Sequence, residues 1–176
     1  MQKYVKNSLT LLPFLALYFV GHQAIAQDKA ARPSPPAQVT QKVGDATVSI
    51  NYSQPSIKGR KVWGELVPYG QVWRTGANEA TTFEVDKDVK IEGKTLSAGK
   101  YGFFTIPNEK EWTIIFNKVP NQWGAFKYDD KQDALRVNVK PKKSSKFNEK
   151  LVYEVSSKGK VGILWENAEV DFNVSK

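Results

Sequence analysis

Six residues in one stretch of the chain have the types and spacing for ligand chemistry: Trp63, Tyr69, Trp73, Arg74, Asn78 and Glu79. Arg74, Asn78 and Glu79 place a cation, an amide and a carboxylate within six residues, in the string Trp-Arg-Thr-Gly-Ala-Asn-Glu. Arginine occurs where a planar fork of donors must engage a carboxylate, a phosphate or an aromatic face. The chain otherwise favours lysine, and only Arg32 and Arg136 lie outside this stretch, which holds Arg60 and Arg74. Polar groups converging in an aromatic-lined cleft would suit a small molecule or a glycan. The alternative is structural. Arg74 and Glu79 would then form an internal ion pair that pins a long loop, its backbone groups would be met by side chains such as Asn78, and the tryptophans would cap the core.

Other chemistry is narrowed by what the chain lacks. There is no cysteine, the only histidine is His22, and the only methionine is Met1. Lys3 and Lys6 precede an apolar run of about 13 residues, Ser8 to Val20, and Ala24-Ile25-Ala26 follows. That order is the pattern of a cleavable secretory signal, and the run is shorter than the roughly 20 residues a spanning helix needs. Cleavage after Ala26 removes His22 and Met1. The remaining chain then has neither imidazole nor thiol, which excludes Ser-His-Asp and Cys-His triads, thiol redox chemistry and disulfides. It also lacks the soft ligands that zinc, copper and iron sites favour. No cofactor or metal and no catalytic residue is assigned. An all-oxygen calcium site remains open at Asp129-Asp130-Lys131-Gln132-Asp133, although that stretch lacks the glycine and closing glutamate of an EF-hand loop. An exposed acidic turn is the plainer reading.

The elements that must position these residues are strands. Val48, Ile50 and Tyr52 alternate with polar neighbours, as do Leu135, Val137 and Val139, and Leu151, Tyr153 and Val155. Val161, Ile163 and Trp165 continue the pattern, then Ala168, Val170, Phe172 and Val174. Tyr101 to Ile106 and Trp112 to Phe116 are continuous β-favouring runs. Period-two alternation between glycine, proline and asparagine punctuation predicts half-buried antiparallel strands. Tight turns are expected at Ile91-Glu92-Gly93-Lys94 and at Trp165-Glu166-Asn167-Ala168. Nine or ten such strands predict an all-β fold, a two-sheet antiparallel β-sandwich of jelly-roll or immunoglobulin-like type with one long irregular loop. A closed barrel is the alternative. A short helix could lie within residues 59–70 or 121–133. Trp112, Trp123 and Trp165 read as core or sheet-face aromatics.

The expected organisation is a signal peptide over residues 1–26, a flexible proline-containing leader over 27–37, and one β-sandwich domain over 38–176. Removal of Lys3 and Lys6 lowers the formal charge from +8 to +6. The lysines are spread singly except at Lys140, Lys142, Lys143 and Lys146, which argues against a nucleic-acid partner. No membrane span is expected after cleavage. The oligomeric state is left open.

The string from Gly59 to Phe83, Gly-Arg-Lys-Val-Trp-Gly-Glu-Leu-Val-Pro-Tyr-Gly-Gln-Val-Trp-Arg-Thr-Gly-Ala-Asn-Glu-Ala-Thr-Thr-Phe, resembles the hallmark of domain-of-unknown-function family 2911. Leu96 to Tyr101 and Trp112 to Asn117 resemble its following blocks, and the likeness spans about Ser34 to Val174. The resemblance implies an exported bacterial protein of the Bacteroidetes type. It implies no activity and transfers no catalytic residue. The residues favour an exported, periplasmic or secreted, non-enzymatic protein that binds a small molecule or glycan as an envelope accessory. A carboxylate-dependent hydrolase with Glu79 as acid/base beside Arg74 is one alternative, with Asp129, Asp130 and Asp133 as further carboxylates. A structural or partner-assembly domain is another.

Overall fold

The computed structural model describes residues 32–176. The expected signal peptide and the first five residues of the leader lie outside the described residues. Ten strands form two antiparallel sheets. They are β1 (Pro36–Val43), β2 (Ala46–Ser53), β3 (Thr81–Val85), β4 (Val89–Ile91), β5 (Lys94–Leu96), β6 (Gly99–Ile106), β7 (Trp112–Asn117), β8 (Asp133–Val139), β9 (Pro141–Val155) and β10 (Lys160–Ser175). The larger sheet runs β1-β2-β3-β6-β7-β8, and the smaller runs β5-β4-β10-β9. The molecule is a two-sheet β-sandwich and not a closed barrel.

Alternation decides which face of β2 turns inward, whereas β6 and β7 bury residues on both faces. Val48 and Ile50 on β2 are fully buried, as are Phe83, Phe103 and Phe116 on β3, β6 and β7. Across the sandwich these rings meet Phe172 of β10 at centroid distances of 6.0, 5.8 and 6.0 Å. Such aromatic pairs add about 0.5–1.5 kcal/mol each beyond the area they bury.

The hairpin expected after Ile91 is present, with Glu92 at φ 48° and Gly93 at φ 81° between β4 and β5. The turn expected at Trp165 to Ala168 is absent. Those residues lie inside β10, where the β9 register shifts on both sides of Glu166 and Glu166 takes φ 56°. The sequence punctuation there marks a bulge, which kinks a strand without ending it. No helix forms within residues 59–70. The second candidate segment holds one 3₁₀ turn, Asp130–Gln132, capped by the Asp129 carboxylate, which accepts from Lys131 N at 3.0 Å.

The leader is docked from Arg32 onward. Pro36 and Ala37 open β1, which begins against Ser53. Gln54 N donates to Pro35 O at 2.8 Å. Proline is tolerated there because β1 is an edge strand and Pro36 is its first residue. Two long connections remain, residues 54–80 between β2 and β3 and residues 118–129 between β7 and β8. The second pairs through Trp123 with Glu79 near the end of the first. Among the described residues no helix is long and apolar enough to cross a membrane.

Candidate functional site

The residues 73–79 are held as a rigid, partly strained loop. Trp73 exchanges two backbone hydrogen bonds with Thr105 of β6, at 2.8 and 3.0 Å. Thr75 then takes φ 50°, a left-handed conformation that a β-branched residue adopts at a cost. Its surroundings over-determine it. The Thr75 hydroxyl donates to Trp73 O and to Thr105 Oγ1 at 3.2 and 3.1 Å, and Thr75 O accepts from Thr81 Oγ1 and Tyr153 Oη at 3.0 and 2.7 Å. Gly76 follows where a Cβ would sit 2.8 Å from Thr81 Oγ1. Asn78, at φ 57°, donates from Nδ2 to Ser34 O at 3.0 Å, which ties the leader to the loop. Strain of this kind persists only where neighbours enforce it, and it concentrates at functional sites.

Arg74 is carried on this loop. Its side chain is half-buried, its Nε–H is buried without an acceptor, and desolvation lowers its pKa below the ordinary guanidinium value. It lines a cleft of about 310 Å³ with Arg60, Trp73, Asn78 and Trp165 among others. Among the described residues, no acid lines that cleft. Arg60 spends two donors on its own loop, Nε on Ile57 O at 2.9 Å and Nη2 on Ser56 O at 2.7 Å. Two guanidinium groups without a facing carboxylate give the cleft a positive field that an anion would neutralise.

Glu79 sits elsewhere. Arg32 Nη1 donates to both its carboxylate oxygens, at 2.8 and 3.1 Å. Glu79 lines a separate cleft of about 230 Å³ with Arg32, Asn51, Tyr52 and Lys100. Among the described residues, no second carboxylate lines that cleft. Trp63 and Tyr69 open onto a third cleft of about 310 Å³. The six sequence candidates are therefore divided. Trp73, Arg74 and Asn78 come together, Trp63 and Tyr69 form another pair, and Glu79 stands with Arg32.

A tryptophan cluster separates the two larger clefts. Trp63 meets Trp73, Trp112 and Trp165 at 6.0, 5.0 and 5.9 Å, and Trp73 stacks on Trp165 at 5.8 Å. Trp112 and Trp165 are each 2 % exposed, as expected for core rings. Trp123 differs from expectation: it lies in the 118–129 connection, 57 % exposed, with the Arg32 guanidinium 5.9 Å from its ring. Backbone pairing with Glu79 holds this loop outside the sandwich, so its ring has no core to enter.

The acidic stretch has structural work. Asp133 accepts from Asn117 Nδ2, Tyr128 Oη and Arg136 Nε at 2.8, 2.6 and 2.6 Å. Asp129 caps the 3₁₀ turn. Among the described residues, no group of three or more acidic side chains is arranged to hold a metal ion.

The sequence pattern of the family described as "Protein of unknown function (DUF2911)" matches residues 34–174. The chain belongs to this family. No curated protein and no solved structure matches it. The DUF2911 span begins at Ser34, the residue whose carbonyl is bound by Asn78, and ends at Val174 on β10. It thus takes in the whole sandwich, the Arg74 loop and the docked end of the leader.

Signals for what sequence reading missed were partial. Arg32 lies in a proline-rich stretch that reads as solvated, and nothing local marks it as the partner of Glu79. The Thr75 conformation had no sequence signal, because threonine seldom adopts it.

Proposed function

We propose that the domain is a non-enzymatic binding protein whose ligand carries a carboxylate or similar anionic group, either a small organic acid or an acidic glycan. Arg74 would provide the anchoring guanidinium, Asn78 and Arg60 would flank it, and Trp73 with Trp165 would supply the apolar wall. The observation that carries this reading is Arg74 itself: half-buried, with a buried Nε–H that has no acceptor, in a cleft lined by no acid. A desolvated cation without a counter-ion is costly, and a ligand carboxylate would offset that cost through a charge-assisted, bidentate pair. We place the protein outside the cytoplasm of a bacterium of the Bacteroidetes type, as an envelope accessory in the periplasm or beyond. The support is the charge, apolar run and small-residue order of residues 1–26.

The test is a thermal-shift titration of the chain, expressed with its own N-terminus, against citrate, glucuronate, phosphate and glucose. At least one anion is expected to raise the midpoint, with an effect that weakens as salt rises. Arg74→Met is expected to abolish it. An anion shift that persists unchanged in Arg74→Met would show that this cleft is not the site. The absence of any anion shift would refute the anionic reading.

A further inference from the structure

The cleft on the other side of the tryptophan cluster has different chemistry. Trp63, Tyr69 and Trp112 line it as aromatic walls. Tyr69 packs over Gly64, where φ is 83° and a Cβ would crowd the Tyr69 ring at 3.2 Å. Tyr69 is 38 % exposed and presents ring surface outward. Polar groups surround these rings. Asn108 and Asn167 bring amides, and Glu109 and Glu166 bring carboxylates. Neither carboxylate joins any of the ion pairs or side-chain hydrogen bonds formed among the described residues. Lys142, which also lines the cleft, is already held by Asp171 and Glu169 at 2.6 and 3.2 Å. Trp63 adds an Nε1–H that is buried without an acceptor.

Glu166 stands at the β10 bulge in a left-handed conformation, φ 56°. Regular pleating fixes a side chain to one face of a sheet, and a bulge re-aims it. Here the bulge places Glu166 and Asn167 together on the rim of the aromatic walls. Aromatic faces, two amides and two uncommitted carboxylates match a neutral polyhydroxylated ring. Its C–H face stacks on the rings, and its vicinal hydroxyls donate to carboxylates and exchange hydrogen bonds with amides. Lys142 and Lys143 line the same cleft, so its two carboxylates are balanced by two ammonium groups and the lining has no net formal charge to select an anion.

We propose that this cleft is a second binding site, for a neutral sugar, separate from the Arg74 cleft. The two clefts share no lining residue, so this inference does not depend on the anionic reading.

The test is tryptophan-fluorescence and calorimetric titration of the full chain with glucose, galactose, mannose, N-acetylglucosamine and their disaccharides. At least one neutral sugar is expected to bind and change the emission. Glu166→Gln and Tyr69→Ala are each expected to weaken that sugar at least tenfold, while circular dichroism confirms the fold. Arg74→Met is expected to leave sugar binding within twofold of the parent. No binding by any sugar of the panel up to 10 mM, ~2.7 kcal/mol of affinity at that limit, would overturn the proposal. So would binding that both cleft variants leave intact, or that Arg74→Met abolishes. Citrate binding, followed in the same variants, separates failure here from failure at the Arg74 cleft.

Discussion

Replacing Arg74 by methionine separates the binding reading from the structural one, because the two demand opposite signs. Arg74 Nε–H is buried with no acceptor, and an unsatisfied buried donor costs about 1–3 kcal/mol. Desolvation is the cause that lowers its pKa, so the environment disfavours the charge. Methionine keeps an apolar stem of comparable length in the same space and removes both the orphan donor and the charge. Arg74 is only partly buried, so its charge retains part of its hydration, which trims the gain. The net expectation is a stabilisation of about 0.5–2 kcal/mol, or a midpoint rise of roughly 1–8 °C for a domain of this size. Urea unfolding followed by tryptophan fluorescence measures it, with the m-value checked for constancy. A stability gain joined to a loss of anion binding is the signature of a residue kept for its ligand. A loss above about 1 kcal/mol with unchanged m would mean that Arg74 pins the loop and is not kept for a ligand.

Three further outcomes follow from other parts of the fold. Tyr153→Phe removes the buried hydroxyl that donates to Thr75 O; chemical denaturation should show a loss of about 1–2 kcal/mol, since Thr81 Oγ1 still serves that carbonyl. Asp86 accepts from Thr47 N at 2.6 Å, and that backbone hydrogen bond holds its carboxyl below the usual 3.8. A folded-state pKa below the unfolded one gives stability that is present above the unfolded value and lost as pH falls through the folded value. Asp86→Asn should therefore be less stable than the parent at pH 7, and the gap should close in denaturation series taken below pH 4. Gly159→Ala would drive a Cβ into the Val174 carbonyl at φ 89°; the expected cost is more than about 3 kcal/mol, combining left-handed strain with a backbone clash, read as a lower melting midpoint or a loss of soluble protein.

The sequence by itself determined the class of fold and much of its core. Val48, Ile50 and Phe172 point inward because alternation at period two leaves a strand no other way to bury them, and that information is local, whereas Phe103 and Phe116 lie in continuous apolar runs whose inward face the sheet pairing decides. The Glu92-Gly93 hairpin was legible for the same reason: two consecutive left-handed residues need a glycine. The list of ligand-type residues was also legible, because arginine and tryptophan are concentrated between residues 60 and 79. Their grouping was not. The pairing of Glu79 with Arg32, 47 positions away, depends on where the leader docks. The division of Trp63 from Trp73 depends on the walls that Trp112 and Trp165 bring from β7 and β10. The bulge at Glu166 looked like a turn, since a left-handed residue beside asparagine carries the same signal in either setting. It took the β9 pairing on both sides to make it an interruption within one strand. Chain-distant contacts decide which of several chemically plausible residues share a cleft, and no local spacing rule contains them. Tertiary structure therefore turned one expected site into two clefts of different chemistry, one lined by two guanidinium groups and one by aromatic rings with amides, carboxylates and lysines, with Glu79 in neither.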